Sequence, residues 1–345
     1  MSAPVISVLM AVRNGERHVR SAIDSLLQQT CQDFELIVLD DGSNDDTPEI
    51  LAAFDDPRLV RKSWPESIGL TRALNRGLAL ARGRFIARQD ADDLSMPRRL
   101  ELQAAFLESH PQVGLVGSGY WRINEAGAKT GDGYPPLDMA QIRWHLLFHN
   151  PFCHSAVMFR RDLLQDLGGG YDDRLSYSQD FDLWSRLLRV SEGANLTEPL
   201  VSLREHESSI SYASETLQQA AADQIALRNL QAFDPSLDLS LTQVSAMRRC
   251  FFKLPANIEP ADVQACQTVL TLLRRFIQVT PTEAPWRQST RALWLTRALT
   301  AAKINGIEQL AKALGLLLWR EPIALIKLLS TWAFRRLGIA PSAGT

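Results

Sequence analysis

The sequence predicts an α/β protein: a mixed sheet with helices on both faces, followed by a helical C-terminal region. Three observations predict it. Between Pro4 and Asp92, short β-branched runs alternate with amphipathic stretches at helical spacing, the pattern of βαβ units in a parallel sheet. After Pro97 that alternation loosens, which implies strands of mixed direction. From about Ala213 to the end the chain reads as helices, with neither strand-like alternation nor an internal repeat. With 345 residues, 46% of them apolar, there is material for one large α/β domain and a smaller appendage.

Taken in order, Val5 to Val12 reads as the first strand, and Glu16 to Gln29 as a helix with Val19, Ile23, Leu26 and Leu27 on one face. Phe34 to Leu39 is a second strand ending in Asp40-Asp41-Gly42-Ser43. Asp45 or Asp46 then caps a helix running through Phe54. Arg58 to Lys62 is a third strand. Leu70, Ala73, Leu74, Gly77, Leu78 and Ala81 line one face of a helix that Gly83 ends. Arg84 to Gln89 is a fourth strand, delivering Asp90-Ala91-Asp92-Asp93 at its C-terminal end, where open parallel sheets place their ligands. Beyond it come a helix at Pro97 to Glu108, a strand near Val113 to Trp121, a helix around Met139 to Leu147 and a strand near Ser155 to Phe159. A Gly168-Gly169-Gly170 turn, a helix at Gln179 to Val190 and a last strand at Leu200 to Arg204 complete the domain.

The net charge of -2 averages two unlike halves. Residues 241–345 carry 14 Lys and Arg against 5 Asp and Glu, whereas residues 1–240 carry 23 against 34. An acidic part that handles a polyanionic nucleotide needs a cation to do so, while a basic tail suits an anionic surface. The cysteines Cys31, Cys153, Cys250 and Cys266 form no CxxC pair, which argues against a zinc site or disulfide framework and fits a reducing compartment. No export signal is visible in MSAPVISVLMAVRNGE, so the expected location is cytoplasmic.

Several carboxylates stand where chemistry is expected. Asp41, at the tip of the second strand beside Ala11-Val12-Arg13, reads as a ligand contact, while Ser43, Asp45 and Asp46 read as turn and cap residues. Asp90, Asp92 and Asp93 form the densest acidic cluster on a strand end. Hard oxygen ligands of that kind suit Mg²⁺ or Mn²⁺ held together with substrate phosphates. A DxD triplet alone is weak, and one aspartate could cap the helix that follows Met96-Pro97; its position after three βα steps strengthens the metal reading. Asp180 opens a helix, where a carboxylate ordinarily just complements the dipole; the functional alternative is a base that takes the proton of an incoming hydroxyl. His206 follows the last strand. A lone histidine is more often structural, but a neutral imidazole can complete a metal site.

Read together, the segments PVISVLMAVRNGERHVRSAIDSLLQQT, DFELIVLDDGSNDDT, IGLTRALNRGLALARGRFIARQDADDLSMPRRL, GGGYDDRLSYSQDFDLWSRL and LREHESSIS resemble, in order, the inverting glycosyltransferases of family 2. The resemblance covers roughly residues 4 to 211 and implies the GT-A fold. It implies a nucleotide-sugar donor, UDP by default, a saccharide or lipid-linked acceptor in cell-surface polysaccharide synthesis, and a divalent cation, Mg²⁺ or Mn²⁺. Asp41 looks like the base contact, with Ala11 and Arg13 nearby; Asp90 looks like a ribose or nucleotide contact, and Arg72 in the third segment is counted with the nucleotide-binding residues. Asp92 resembles the cation ligand, Asp180 the catalytic base, and His206 the histidine that reaches the metal or diphosphate. Two features depart from the family's habit. Gln179-Asp180 stands where Glu-Asp is usual, and the first strand ends in Val-Arg-Asn rather than a tyrosine-containing form.

The expected organisation is a catalytic domain over residues 1–212 and a basic helical region over 213–345. In the latter, Ile307, Leu310, Leu314, Leu317 and Leu318, then Leu325, Ile326, Leu329, Trp332 and Phe334, are punctuated by Lys312, Arg320, Lys327, Arg335 and Arg336. No window is long and uncharged enough to span a bilayer. Contact with an anionic inner-membrane surface is one reading, and a helical cap or homodimer contact is the other. No nucleic-acid partner is expected. Two competing functions remain: sugar-phosphate nucleotidyl transfer, against which the first strand lacks a Gly-rich cradle, and a degenerate nucleotide-sugar-binding scaffold, which Gln179 encourages.

Overall fold

The computed structural model describes residues 3–205, 215–252 and 259–283, together with residues 287, 290, 291 and 293. The chain divides into two compact units, residues 1–229 and 230–345.

In the first unit, β1 (Ile6–Val12), β2 (Phe34–Asp40), β3 (Leu59–Ser63) and β4 (Phe85–Arg88) pair in parallel in the order β3-β2-β1-β4. Every residue of β1 and β2 is buried, the mark of strands covered on both faces. Val8, Met10, Leu36 and Val38 face α1 (Val19–Leu27) and α4 (Arg99–Ser109) through Val19, Ile23, Leu26, Leu100 and Leu107. The alternate residues point the other way: Leu9 and Leu39 press on Gly77 of α3 (Leu70–Leu80), where a Cβ would lie 2.6 Å from a Leu39 methyl. An added Cβ at this glycine would force the Leu39 side chain to move.

The sheet continues beyond β4 through β8 (Met158–Arg160), β6 (Val113–Ile123), β9 (Glu192–Arg204) and β5 (Leu94–Ser95), with β7 (Lys129–Gly133) paired to β6. β8 is antiparallel to both β4 and β6, while β9 is parallel to β6. The C-terminal ends of β1, β2, β4, β6 and β9 thus share one edge. Because β8 runs the other way, the segment leading into it arrives at that same edge. The remaining helices of this unit among the described residues are α2 (Thr47–Ala52), α5 (Met139–Leu146), α6 (Leu163–Asp166), α7 (Gln179–Val190) and α8 (Glu215–Phe233), the last extending past the unit's end.

Several boundaries differ from the sequence expectation for local reasons. The first helix begins at Val19 rather than Glu16, because the N–H groups of Asn14, Gly15 and Glu16 donate across to Ser43 Oγ, Thr47 Oγ1 and Asp45 Oδ2. Asp46 holds the N-cap position of α2 without a side-chain cap bond, while Asp45 accepts the Thr47 N–H at 3.0 Å. No aspartate of the 90–93 cluster caps α4, whose N-cap is Arg98. The strand expected at Ser155 to Phe159 forms only over Met158–Arg160, since His154–Ala156 is a 3-10 turn. β9 starts at Glu192, eight residues earlier than expected, and pairs along β6 with register shifts.

In the second unit, α9 (Leu241–Phe252) packs on α10 (Pro260–Val279) through Cys250, Cys266 and Val269, with Arg249 pairing to Asp262 at 3.1 Å. A reciprocal Glu259/Asp262 capping box starts α10. No helix among the described residues is long and apolar enough to cross a membrane. His206 and the amphipathic stretches after Gly306 lie outside the described residues.

Candidate active site

The strand-end edge gathers the site residues. At the β1/β2 end, the Asp41 N–H donates to the Val12 carbonyl at 2.8 Å, so Arg13 and Asp41 are neighbours. Ala11 is buried in β1 opposite Leu39, and Arg13 is exposed. The Asp41 carboxylate is itself buried and accepts three bonds, from Ser67 Oγ (2.7 Å), Ile68 N–H (2.7 Å) and Gly69 N–H (3.1 Å). These fix the turn before α3, and one of roughly four acceptor positions on a carboxylate stays open to a base N–H. Arg72 is exposed in the first turn of α3.

One strand away, β4 carries a fully buried Arg88, whose guanidinium reaches the carboxylate of Asp90 at 2.5 Å. Ser155 Oγ donates to the other oxygen of Asp90 at 2.8 Å and accepts the Asp90 N–H at 2.9 Å. Desolvation would raise the Asp90 carboxyl, but Arg88 and Ser155 outweigh it and hold it at about 2. Asp93 is turned inward, accepting the Arg204 N–H at 2.8 Å, and burial with the charges of Asp90 and Asp92 pushes its carboxyl well above the usual range. The three aspartates of the cluster are thus unlike: Asp90 is paired, Asp93 is withdrawn, and Asp92 lies half-buried at the strand end, where its carbonyl is held by Arg204 Nε at 3.0 Å.

Asp180, in the first turn of α7, accepts from Asn150 Nδ2 at 2.8 Å and from the Phe181 N–H at 2.8 Å. Asn150 and Ser155 belong to the segment that enters β8, so one short stretch touches both Asp180 and Asp90. His154 Nδ1 lies 3.9 Å from Asp90 Oδ2, and the His154 and Tyr171 rings are both under the influence of the two carboxylates and of Arg88. Burial, then Arg88, pushes the His154 imidazole down, against the pull of Asp180 and Asp90. His154 Nε2, Tyr171 OH and Trp184 Nε1 are buried and have no hydrogen-bond partner among the described residues, the kind of group that bonds an ordered water or a hydroxyl-rich ligand. Asn75 and Thr71 of α3 bond the backbone at Tyr171 and Leu175, so the Gly-rich turn leading to Asp180 is anchored to the helix that carries Arg72.

No group of three or more His, Cys, Asp or Glu side chains among the described residues could by itself hold a metal ion. A half-buried Asp92 carboxylate beside a withdrawn Asp93 fits a Mg²⁺ or Mn²⁺ ion that takes one protein oxygen and fills its shell with phosphate oxygens and water. His206, the other expected ligand, is outside the described residues.

Sequence reasoning missed Arg88, Asn150, His154, Ser155 and Tyr171. A signal existed for Arg88, a charge closing the otherwise apolar run Phe85-Ile86-Ala87, and for Asn150 and His154, polar residues ahead of a strand. Nothing local said that β8 would return antiparallel and bring them to this edge.

The Glycosyl transferase family 2 model matches residues 7–168. The putative glycosyltransferase EpsE of Bacillus subtilis is 36% identical over 222 residues, covering 62% of this chain and 78% of the relative. The chain belongs to glycosyl transferase family 2. Another relative of this glycosyltransferase, the O-antigen biosynthesis glycosyltransferase WbnJ of Escherichia coli, is also 36% identical, over 59% of this chain and 81% of its own. The fold is GT-A: the structure of S. aureus TarS 1-349 in complex with UDP-GlcNAc superposes with a TM-score of 0.56 over 86% of this chain and 88% of that one, at 18% identity.

Proposed function

We propose that this glycosyltransferase is an inverting, cation-dependent enzyme of cell-surface polysaccharide synthesis. It moves a sugar from a nucleoside diphosphate, by default UDP, to a hydroxyl of a saccharide or lipid-linked acceptor. The observation that carries this reading is the Asn150-to-Ser155 segment, which touches Asp180 at one end and Asp90 at the other. The kinship to WbnJ supports the polysaccharide context, and TarS, bound to UDP-GlcNAc, supports the donor class.

In this reading Ala11, Arg13 and Asp41 hold the base, Asp90 the ribose and Arg72 the donor's charged end. Asp92, with His206, would hold the cation, which when bound offsets the charge on the departing diphosphate. Asp180 takes the proton from the acceptor hydroxyl as its oxygen attacks the anomeric carbon from the face opposite the diphosphate. The new C–O bond forms as the bond to the diphosphate oxygen breaks, and the centre inverts. The base acts on the acceptor side, where a proton is released, and a cation held at the acidic strand end would act on the donor side, where negative charge accumulates. Gln179 is buried at the start of α7, so a neutral side chain there avoids a second buried carboxylate beside the base. Residues 1–212 carry the catalysis, and the basic region 213–345 supplies membrane-surface or dimer contact.

A panel of nucleotide-sugars, assayed for nucleotide release with and without Mg²⁺ or Mn²⁺, tests the proposal. Asp180→Asn should abolish transfer with nucleotide affinity nearly intact, and Asp92→Ala should weaken both. Nucleotide binding with no donor consumption across the panel would favour the non-catalytic scaffold; wild-type rates in Asp180→Asn would remove the base assignment.

A further inference from the structure

Asn150 is held at both ends of its amide. Its Oδ1 accepts the Phe152 N–H at 3.0 Å, an Asx turn across Pro151, and its Nδ2 donates to Asp180 Oδ2 at 2.8 Å. The oxygen and nitrogen of a side-chain amide point apart, so the turn decides which end faces α7, and that end is the donor. The second Asp180 oxygen accepts the Phe181 N–H, so the carboxylate is pinned once on each oxygen and can still accept a proton from a hydroxyl. Five residues on, Ser155 bonds both the carboxylate and the backbone N–H of Asp90. The segment between is short, contains Pro151 and turns as a 3-10 helix over His154–Ala156.

We propose that Asn150 is a positioning residue for transfer: it sets the orientation of the Asp180 carboxylate, and its segment sets that carboxylate's distance from Asp90 on the donor side. The inference rests on Asp180 being the base. Asn150 touches no substrate in this reading and acts through Asp180 alone. Among the described residues, the titratable and charged groups coupled to Asp180 through that environment include His154, Tyr171, Arg88 and Asp90, none of which replaces an amide donor fixed by its own turn.

The full-length Asn150→Asp variant separates this role from a merely structural one. It keeps an oxygen for the Phe152 N–H, so the turn survives, but presents a carboxylate oxygen to Asp180 where an N–H stood. Asn150→Ala, which removes both ends, is the companion. The assay is nucleotide release with water as acceptor, using the UDP- or GDP-sugar that the wild-type chain consumes. We expect kcat to fall about 10- to 100-fold in both variants, the scale of a misplaced reacting group. Nucleotide Kd should stay within about twofold, and the acid limb of kcat/KM should move to higher pH, further for Asn150→Asp, because a like charge disfavours ionisation. A folded Asn150→Asp protein with wild-type kcat and an unmoved acid limb overturns the proposal. So does a parallel loss of nucleotide affinity, which would make the segment a structural support only. The Asp180→Asn control keeps the two ideas apart: an active control sinks the base assignment, whereas an inactive control beside an unaffected Asn150→Asp sinks the positioning role alone.

Discussion

At the scale of single residues, Asp41 and Gly42 show how the turn before α3 is fixed. Asp41 spends three acceptor positions on the 67–69 turn, and Gly42, at φ +70°, lets the chain pass so close to that turn that an added Cβ would lie 2.7 Å from the Glu66 carbonyl carbon and the Ser67 nitrogen. Both atoms are backbone and cannot swing aside. Gly42→Ala should therefore displace the turn that Asp41 holds, costing about 1–3 kcal/mol of stability and roughly tenfold or more in nucleotide affinity. Thermal unfolding and isothermal titration on one sample check it; an alanine variant with wild-type nucleotide affinity would show that the turn does not shape the site. The place of Asp41, Asp90 and Asp92 at the strand ends was legible in the sequence because each follows a short apolar run that reads as a strand. That of Asn150, His154 and Tyr171 was not, since it depends on contacts between segments far apart in the chain.

At the scale of elements, the parallel half β3-β2-β1-β4 was readable because β1, β2 and β4 are short, largely apolar strands and helices with one apolar face separate the strands in sequence. The second half was harder. β7, Lys-Thr-Gly-Asp-Gly, carries no apolar alternation and exists because β6 offers it an edge, and β5 is a two-residue pairing with β9. The joint between β1, β2 and the end of α3 is a polar one. Ser7 Oγ donates to Glu35 at 2.6 Å and accepts the Gly83 N–H at 2.8 Å, while Arg82 reaches the other Glu35 oxygen at 2.7 Å. Burial would raise the Glu35 carboxyl, yet the bonds from Ser7 and Arg82 prevail and lower it. A carboxylate with a depressed folded value stabilises the fold above its unfolded value, about 4.3, and that contribution is lost as pH falls through the lower folded value. Glu35→Gln should cost about 1–3 kcal/mol at pH 7, and its melting temperature should fall less steeply than that of the wild type between pH 5 and about pH 3. Parallel melting curves across that window would assign the acid lability elsewhere.

At the scale of the whole molecule, the charge distribution is the feature that the sequence makes plain. Residues 1–240 carry 34 acidic against 23 basic side chains, and residues 241–345 carry 14 basic against 5 acidic. An acidic catalytic part gains nothing from approaching an anionic membrane, so any attraction to one must come from the basic part. After Gly306 that part sets Leu, Ile, Trp and Phe beside Lys312, Arg320, Lys327, Arg335 and Arg336, the composition of a segment that lies in an interface with basic groups toward the head groups. Each basic residue near an anionic surface contributes about 1 kcal/mol, and the attraction fades over a Debye length. The full chain should therefore float with vesicles containing anionic lipid at low salt, float poorly with neutral vesicles, and lose most of its association when salt is raised to about 0.5 M. A chain ending at Asn305 should stay in the soluble fraction while still releasing nucleotide from the donor that the full chain consumes. Equal flotation of the two chains would remove the membrane contact. A sedimentation difference between them, with no flotation by either, would assign the segment to contact between copies instead, since burying the same leucines against a second chain satisfies their apolar surface without lipid.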